Sequence, residues 1–122
     1  ETDSINLILA KIKQNLYQLV KSKVHYIEIN SISDDIERIE LVELLNTFGK
    51  SFETDSTELK QRIDLLISYG FGVADAAHVS FSEQYNAYFV SCDDKLLKLC
   101  SKYIDSIKCF NPITFCELEK LK

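Results

Sequence analysis

The chain has 122 residues, of which 46% are hydrophobic and 27% charged, with one proline and three glycines. This composition is ordinary for one folded domain and argues against disorder, low complexity and a membrane-spanning helix, which needs roughly 18 consecutive apolar residues. The net charge of −5 argues against binding nucleic acid through a broad basic surface, although it is compatible with a nuclease that holds metal ions between carboxylates.

The first half of the chain is predicted to be mainly helical. Apolar residues at spacings of three and four predict an amphipathic helix over 4–18, and a short strand is expected at 16–20. The segment 24–32 fits either a helix or a strand, and we favour a helix. A capped helix is then predicted over 34–48, ending at Gly49. The expected inner face of this last helix consists of Ile36, Ile39, Val42 and Leu45.

The second half is predicted to alternate helices and strands. A capping box formed by Asp55 and Glu58 begins a helix that ends at Gly70. The elements that follow are a helix at 73–85, a strand at 87–91, a helix at 94–103, a strand at 107–110 and a last helix opened by Asn111 and Pro112. Such alternation is typical of a parallel sheet covered on both faces, in which ligands bind beyond the carboxyl ends of the strands.

Acidic residues occur where such a site is expected. Asp93 and Asp94 directly follow a predicted strand, and Asp75 lies in the first turn of a predicted helix, one turn before His78. Glu28 lies within an apolar segment, where a purely structural glutamate is unusual. Because Mg²⁺ and Mn²⁺ prefer oxygen ligands, carboxylates that converge from separate elements predict a site for one of these ions.

Structural interpretations of the same residues stay open. Asp75 can simply complement a helix dipole, Asp94 can cap the helix that follows it, and His78 can pack at a helix surface. Asp93 is harder to explain in this way, because a second acid beside the cap adds repulsion. The neighbouring lysines are most often a solvated face, but their helix begins at the proposed site and can contact a phosphate backbone.

The four cysteines and the N-terminal residues indicate the expected compartment. No Cys-x-x-Cys pair occurs, so small buried thiols in a reducing cytosol are favoured over a structural zinc site. Because no apolar leader or span is recognisable, we expect a cytoplasmic protein that does not contact a membrane.

In this order the residues resemble the PIN domain, in the form found in bacterial toxin-like ribonucleases. The resemblance covers the chain from about residue 4 to its end and rests on Glu28, Asp75, His78, Ser91, Asp93, Asn111 and Pro112. It implies a single PIN-like domain over 1–122, with a three-layer α/β/α sandwich around a central, mostly parallel sheet. The family's first strand, which ends in an aspartate, has no counterpart in this sequence.

The resemblance also implies a function, that of a metal-dependent endoribonuclease that hydrolyses RNA phosphodiester bonds. The matching catalytic residues and ligands of Mg²⁺ or Mn²⁺ are Glu28, Asp75 and Asp93. Supporting roles are implied for Ser91, Asp94 and His78, and contacts with RNA for Lys95 and Lys98. A toxin role with an antitoxin protein as partner, and a homodimer, are implied as well.

Two other functions remain open. Because the family's first aspartate is absent, the chain can instead be a catalytically incomplete PIN-like module that binds RNA or a partner protein. A signalling receiver domain also carries an aspartate at the end of a strand. The order of residues opposes it, since receivers have an acidic pair on the first strand and a lysine after a late strand.

Overall fold

The computed structural model describes all 122 residues, and 63% of them are helical. The elements are, in chain order, α1 (Thr2–Lys13), β1 (Leu19–Val20), α2 (Lys23–Asn30), α3 (Asp35–Phe48), β2 (Gly49–Lys50), α4 (Ser56–Ser68), α5 (Val73–Tyr85), β3 (Phe89–Val90), α6 (Asp94–Tyr103), β4 (Cys109–Phe110) and α7 (Pro112–Leu118). The strands form two separate parallel pairs, β1 with β2 and β3 with β4.

The predicted α/β/α sandwich is wrong, because no central sheet is present. The strands expected at 16–20, 87–91 and 107–110 are each only two residues long. β1 pairs only with β2 and β3 only with β4, and β1 and β3 line a common cavity without pairing with each other. Since two-residue ladders supply few hydrogen bonds, helix packing rather than a sheet organises this fold.

The predicted starts of the second-half helices are confirmed, and side-chain caps explain them. The Asp93 carboxylate accepts hydrogen bonds from the first amides of α6, and the Asn111 side chain accepts one from the Thr114 amide of α7 at 2.7 Å. At α4, Asp55 caps as predicted, but no hydrogen bond returns from Glu58. The Asp55 N–H instead donates to Gln84 Oε1 at 3.0 Å, which ties the start of α4 to α5.

The core lies between α4, α5 and α6 and holds α5 in place. Its buried members are Leu66, Phe71, Ala76, Val79, Leu96, Cys100 and Ile104. At the edge of this core, Arg62 of α4 donates two hydrogen bonds to the Glu83 carboxylate of α5, at 2.9 and 3.0 Å. These contacts fix the helix that carries Asp75 and His78.

The expected inner face of α3 is only partly correct. Leu45 is buried, but Ile36 and Ile39 are 71% and 54% exposed. The reason is that α3 packs mainly against α2 and β2, so nothing covers its first two turns. None of the seven helices combines the length and the apolar character that a membrane crossing needs.

Candidate functional site

Glu28 and His78 meet, although fifty positions of sequence separate them. Glu28 Oε1 of α2 is paired with His78 Nε2 of α5. The His78 side chain is largely buried, whereas half of the Glu28 side chain is exposed. The ring of His25 packs on that of His78, with the ring centres 4.7 Å apart. Two of the predicted residues therefore join α2 to α5.

Asp75 lies one turn before His78, and the charges of two further carboxylates act on it. Its pKa is raised, first by partial burial and then by the negative charge of Asp93, with a smaller contribution from Glu28, while His78 lowers it. The Asp75 carboxylate accepts no hydrogen bond from the protein, and Oδ2 lies near Gly72 at the start of α5. A carboxylate that is repelled by its neighbours and has no donor is well suited to a bound cation.

Asp93, and not Asp94 as expected, caps α6, and this structural role occupies half of its carboxylate. Oδ1 accepts hydrogen bonds from the amides of Lys95 and Leu96 at 3.0 and 3.1 Å, which begins α6. The Asp93 N–H donates to Ser91 Oγ at 3.1 Å, so Ser91 orders the turn between β3 and α6. Oδ2 makes no hydrogen bond with the protein and remains available.

Glu28, Asp75, His78 and Asp93 are called the acid–histidine cluster below. Asp94 lies in the first turn of α6, exposed and without a hydrogen bond to this cluster. Lys95 and Lys98 are exposed on the same helix and form no ion pair. Of the eight predicted residues, four make up this cluster, Ser91 orders the turn before α6, and Asp94, Lys95 and Lys98 lie on the neighbouring surface of α6.

The cluster fits a divalent ion by the type of its donors but does not form a closed site. No three histidine, cysteine, aspartate or glutamate side chains are grouped so that they can hold a metal ion. Mg²⁺, however, is often held by one or two carboxylates and completes its shell with water and substrate phosphate. Asp75 and the free oxygen of Asp93 match that smaller requirement.

The sequence analysis missed His25, which the structure adds to the cluster through its contact with His78. Burial and the neighbouring His78 lower the pKa of His25. His25 Nδ1 accepts a hydrogen bond from the Ser22 N–H at 3.0 Å, which also favours the neutral imidazole. The available signal was Ser22 three residues before His25 at the start of a possible helix, a spacing that permits capping.

A cavity of about 450 Å³ adjoins the cluster and is lined mainly by apolar side chains. Its walls include the edges of both strand pairs, with Leu19 and Val20 from β1 and Phe89 and Val90 from β3. Because His25 and His78 line it too, the cavity and the cluster are continuous.

Comparison with known proteins adds no relative. No protein-family model, no curated protein and no solved structure matches this chain.

Proposed function

We propose that the chain is a ribonuclease that depends on Mg²⁺ or Mn²⁺. The observation that carries the proposal is the Asp75 carboxylate, which has no hydrogen-bond donor, lies one turn before the His78–Glu28 pair and has a pKa raised by burial and by the charges of Asp93 and Glu28. The charges of Glu28 in α2 and of Asp93 at the start of α6 thus both act on Asp75 in α5, and a divalent ion would relieve this repulsion. The residues that resemble those of PIN domains imply the same chemistry, although the sandwich fold implied by that resemblance is absent.

Each residue of the cluster has a distinct part in this proposal. Asp75 and Asp93 hold the ion, and Glu28 keeps the His78 imidazole next to Asp75. The ion would polarise the scissile phosphate and lower the pKa of a bound water. Lys95 and Lys98 extend from α6 beside Asp93 and contact the RNA backbone, which supplies the positive charge that an acidic protein needs there.

The test combines RNA cleavage with metal binding. The purified chain is incubated with single-stranded RNA in three parallel reactions that contain a chelator, Mg²⁺ or Mn²⁺. Each addition is made at about 5 mM, roughly the concentration at which weakly held divalent ions bind. Cleavage is expected only with metal and is lost in Asp75→Asn. Metal is also expected to raise the melting temperature of the wild-type protein but not of Asp75→Asn. Metal-independent cleavage, or full activity in Asp75→Asn, would reject the proposal.

A matched control uses Asp64, an exposed carboxylate of α4 outside the cluster. Asp64→Asn removes the same charge from the protein as Asp75→Asn does. It should therefore keep both the cleavage and the metal-induced rise in melting temperature. Equal losses in both variants would show that net charge, rather than the cluster, is responsible.

A second candidate is a module that binds RNA or a protein without cleavage. The observation that favours it is the absence of any group of three metal-binding side chains. In that case fluorescence anisotropy would detect RNA binding that does not need metal. A double substitution of Lys95 and Lys98 by glutamine would weaken binding. It would also lower the slope of the logarithm of the binding constant against the logarithm of the salt concentration, since about two fewer counterions would be released from the RNA.

A homodimer or an antitoxin-like partner remains a proposal for the surface of α2 and α3. Ile27, Ile36 and Ile39 are 67%, 71% and 54% exposed, and exposed apolar side chains on neighbouring helices are typical of interfaces. Light scattering after gel filtration distinguishes monomer from dimer, and Ile36→Glu should dissociate a dimer that uses this surface.

A further inference from the structure

We propose that the cavity between β1 and β3 binds an extended apolar peptide, which adds as a strand to the free edges of both. The proposal does not rest on ribonuclease activity. It rests on the hydrogen-bonding groups of the two edges, on an unpaired hydroxyl in the wall and on the dimensions of the cavity.

The two strands present unpaired backbone groups on the side away from their partners. The amides of Phe89 and Ser91 donate to the carbonyl oxygens of Lys108 and Phe110, in and next to β4. In the other pair, the Lys21 amide donates to the carbonyl oxygen of Lys50 in β2. Along a strand of a parallel sheet, the backbone groups of successive residues point alternately to the strand on one side and to the strand on the other. The backbone groups of Val20 and Val90 therefore face the other edge, where neither strand has a partner.

The hydrogen-bond donors and acceptors along the two strand edges indicate which kind of ligand fits the cavity. Along each edge, positive N–H groups alternate with negative C=O groups, and both edges lie in the wall of one cavity. The backbone of an extended peptide carries the matching alternation on both of its sides, as in strand addition to sheet edges. A lipid chain or a small apolar molecule would leave the edge groups of Val20 and Val90 without hydrogen-bond partners, which is unfavourable.

Ser22 supplies a second observation. It lies two residues after β1, lines the cavity and is 6% exposed. Ser22 and His25 form the capping box that begins α2, but the His25 N–H donates to the Ser22 carbonyl oxygen at 3.1 Å, and Ser22 Oγ makes no hydrogen bond of full geometry. Since buried hydroxyls are normally paired, Oγ is available to the backbone of an occupant.

The dimensions and directions of the walls fit one short strand. Residues 87–90 all line the cavity, and four residues of strand span roughly 13 Å. The chain that leaves β1 leads to His25, whose ring contacts that of His78 in α5. The chain that leaves β3 leads to Asp93, whose charge acts on Asp75 one turn earlier in α5. Both strands therefore point their carboxyl ends towards the cluster, so that one added strand can follow both.

The experiment uses a library of seven-residue peptides, acetylated and amidated, with lysine at both ends. Each of the five central positions is Val, Ile, Leu, Ala or Phe. Immobilised full-length chain is expected to retain a subset, and fluorescence anisotropy of a retained peptide should give saturable binding. On binding, the amides of Val20 and Val90 should become protected from hydrogen exchange in NMR spectra, whereas those of Lys21 and Ser91 should be protected already in the free protein.

Two changes separate backbone pairing from simple apolar contact. Val90→Pro removes the Val90 amide, which faces the cavity, and keeps the ladder amides of Phe89 and Ser91, so the fold should persist. It should weaken binding about tenfold or more, whereas Val90→Ala, which keeps the amide, should weaken it only a few-fold. In the wild-type protein, N-methylation of alternate central residues of the peptide should cause a similar tenfold loss.

Three results would overturn the proposal. One is that the library yields no retained peptide. Another is that retained peptides bind Val90→Pro as tightly as the wild-type protein, or that N-methylated peptides bind the wild-type protein as tightly as unmethylated ones. Either result would make the cavity a general apolar site. The third is that the Val20 and Val90 amides are already protected in the free protein, because the edges would then not be free.

Discussion

The His78 imidazole of α5 is paired through Nε2 with the Glu28 carboxylate of α2, and this contact joins the two halves of the chain beside the acidic cluster. Because half of the Glu28 side chain is exposed, water screens the pair and its contribution to stability is small. We expect Glu28→Gln and His78→Gln each to lower the free energy of unfolding by about 0.5–1 kcal/mol. Urea unfolding of both variants and of the double variant measures the coupling, and strictly additive effects would contradict a direct interaction.

Asp75 makes the stability of the protein dependent on pH in a defined direction. Burial and the charge of Asp93 raise its pKa above the ordinary value of 3.8, so the folded state binds the proton more tightly than the unfolded state does. Its contribution to stability is therefore present at low pH and is lost as the pH rises from about 4 through the raised pKa. Asp75→Asn should have a higher melting temperature than the wild-type protein at pH 7 and no such advantage near pH 3. Calorimetry at both pH values checks this, and a lower melting temperature of Asp75→Asn at pH 7 would be inconsistent with unrelieved repulsion.

The core between α4 and α5 depends on one face of α4. Leu66 is 0% exposed, whereas its neighbour Leu65 is 41% exposed. Leu66→Ala should lower the free energy of unfolding by about 2–5 kcal/mol, because it removes buried methyl groups and leaves a cavity. Leu65→Ala makes the same chemical change on the outer face and should cost below about 1 kcal/mol. Denaturant unfolding of both variants compares them, and similar losses would mean that α4 packs with a different face.

The cysteines differ in accessibility, and thiol labelling detects the difference. Cys92 is exposed, while Cys100 and Cys116 are buried. A hydrogen bond to Cys109 together with burial raises the pKa of Cys100, so this thiol is poorly nucleophilic as well as inaccessible. In the native protein we expect an aromatic disulfide reagent to modify Cys92 rapidly and Cys100 only upon unfolding. Loss of the fast phase in Cys92→Ser is the control, and a fast phase that persists there would show that the core opens readily.

Much of the helical structure was predictable, because its signals are local. Asn111 and Pro112 mark the start of α7 by cap chemistry that involves only their nearest neighbours, whereas the start of α6 was predicted correctly but its cap is Asp93 and not the expected Asp94. The sheet was not predictable in the same way. Strand extent depends on a partner distant in sequence, and the pattern at 87–91 does not contain the information that only two of its residues would pair.

The site was predictable in part for the same reason. The chemistry of Glu28, Asp75, His78 and Asp93 suggested that they act together; the structure pairs Glu28 with His78 and brings the charges of Asp93 and Glu28 to bear on Asp75, but it groups no three of these side chains as metal ligands. The contact of His25 with His78 was missed, because stacking between α2 and α5 leaves no pattern in either segment. The exposure of Ile36 was missed because an apolar helix face does not specify whether another element covers it.

The order of residues by itself determined where the helices begin and which side chains carry acidic chemistry, since both are properties of neighbouring residues. Only the tertiary structure decided that the strands remain two separate pairs and that a cavity lies between them. It also decided that half of the Asp93 carboxylate is used by α6. These outcomes depend on distances between segments far apart in the chain, which are set by how the helices pack.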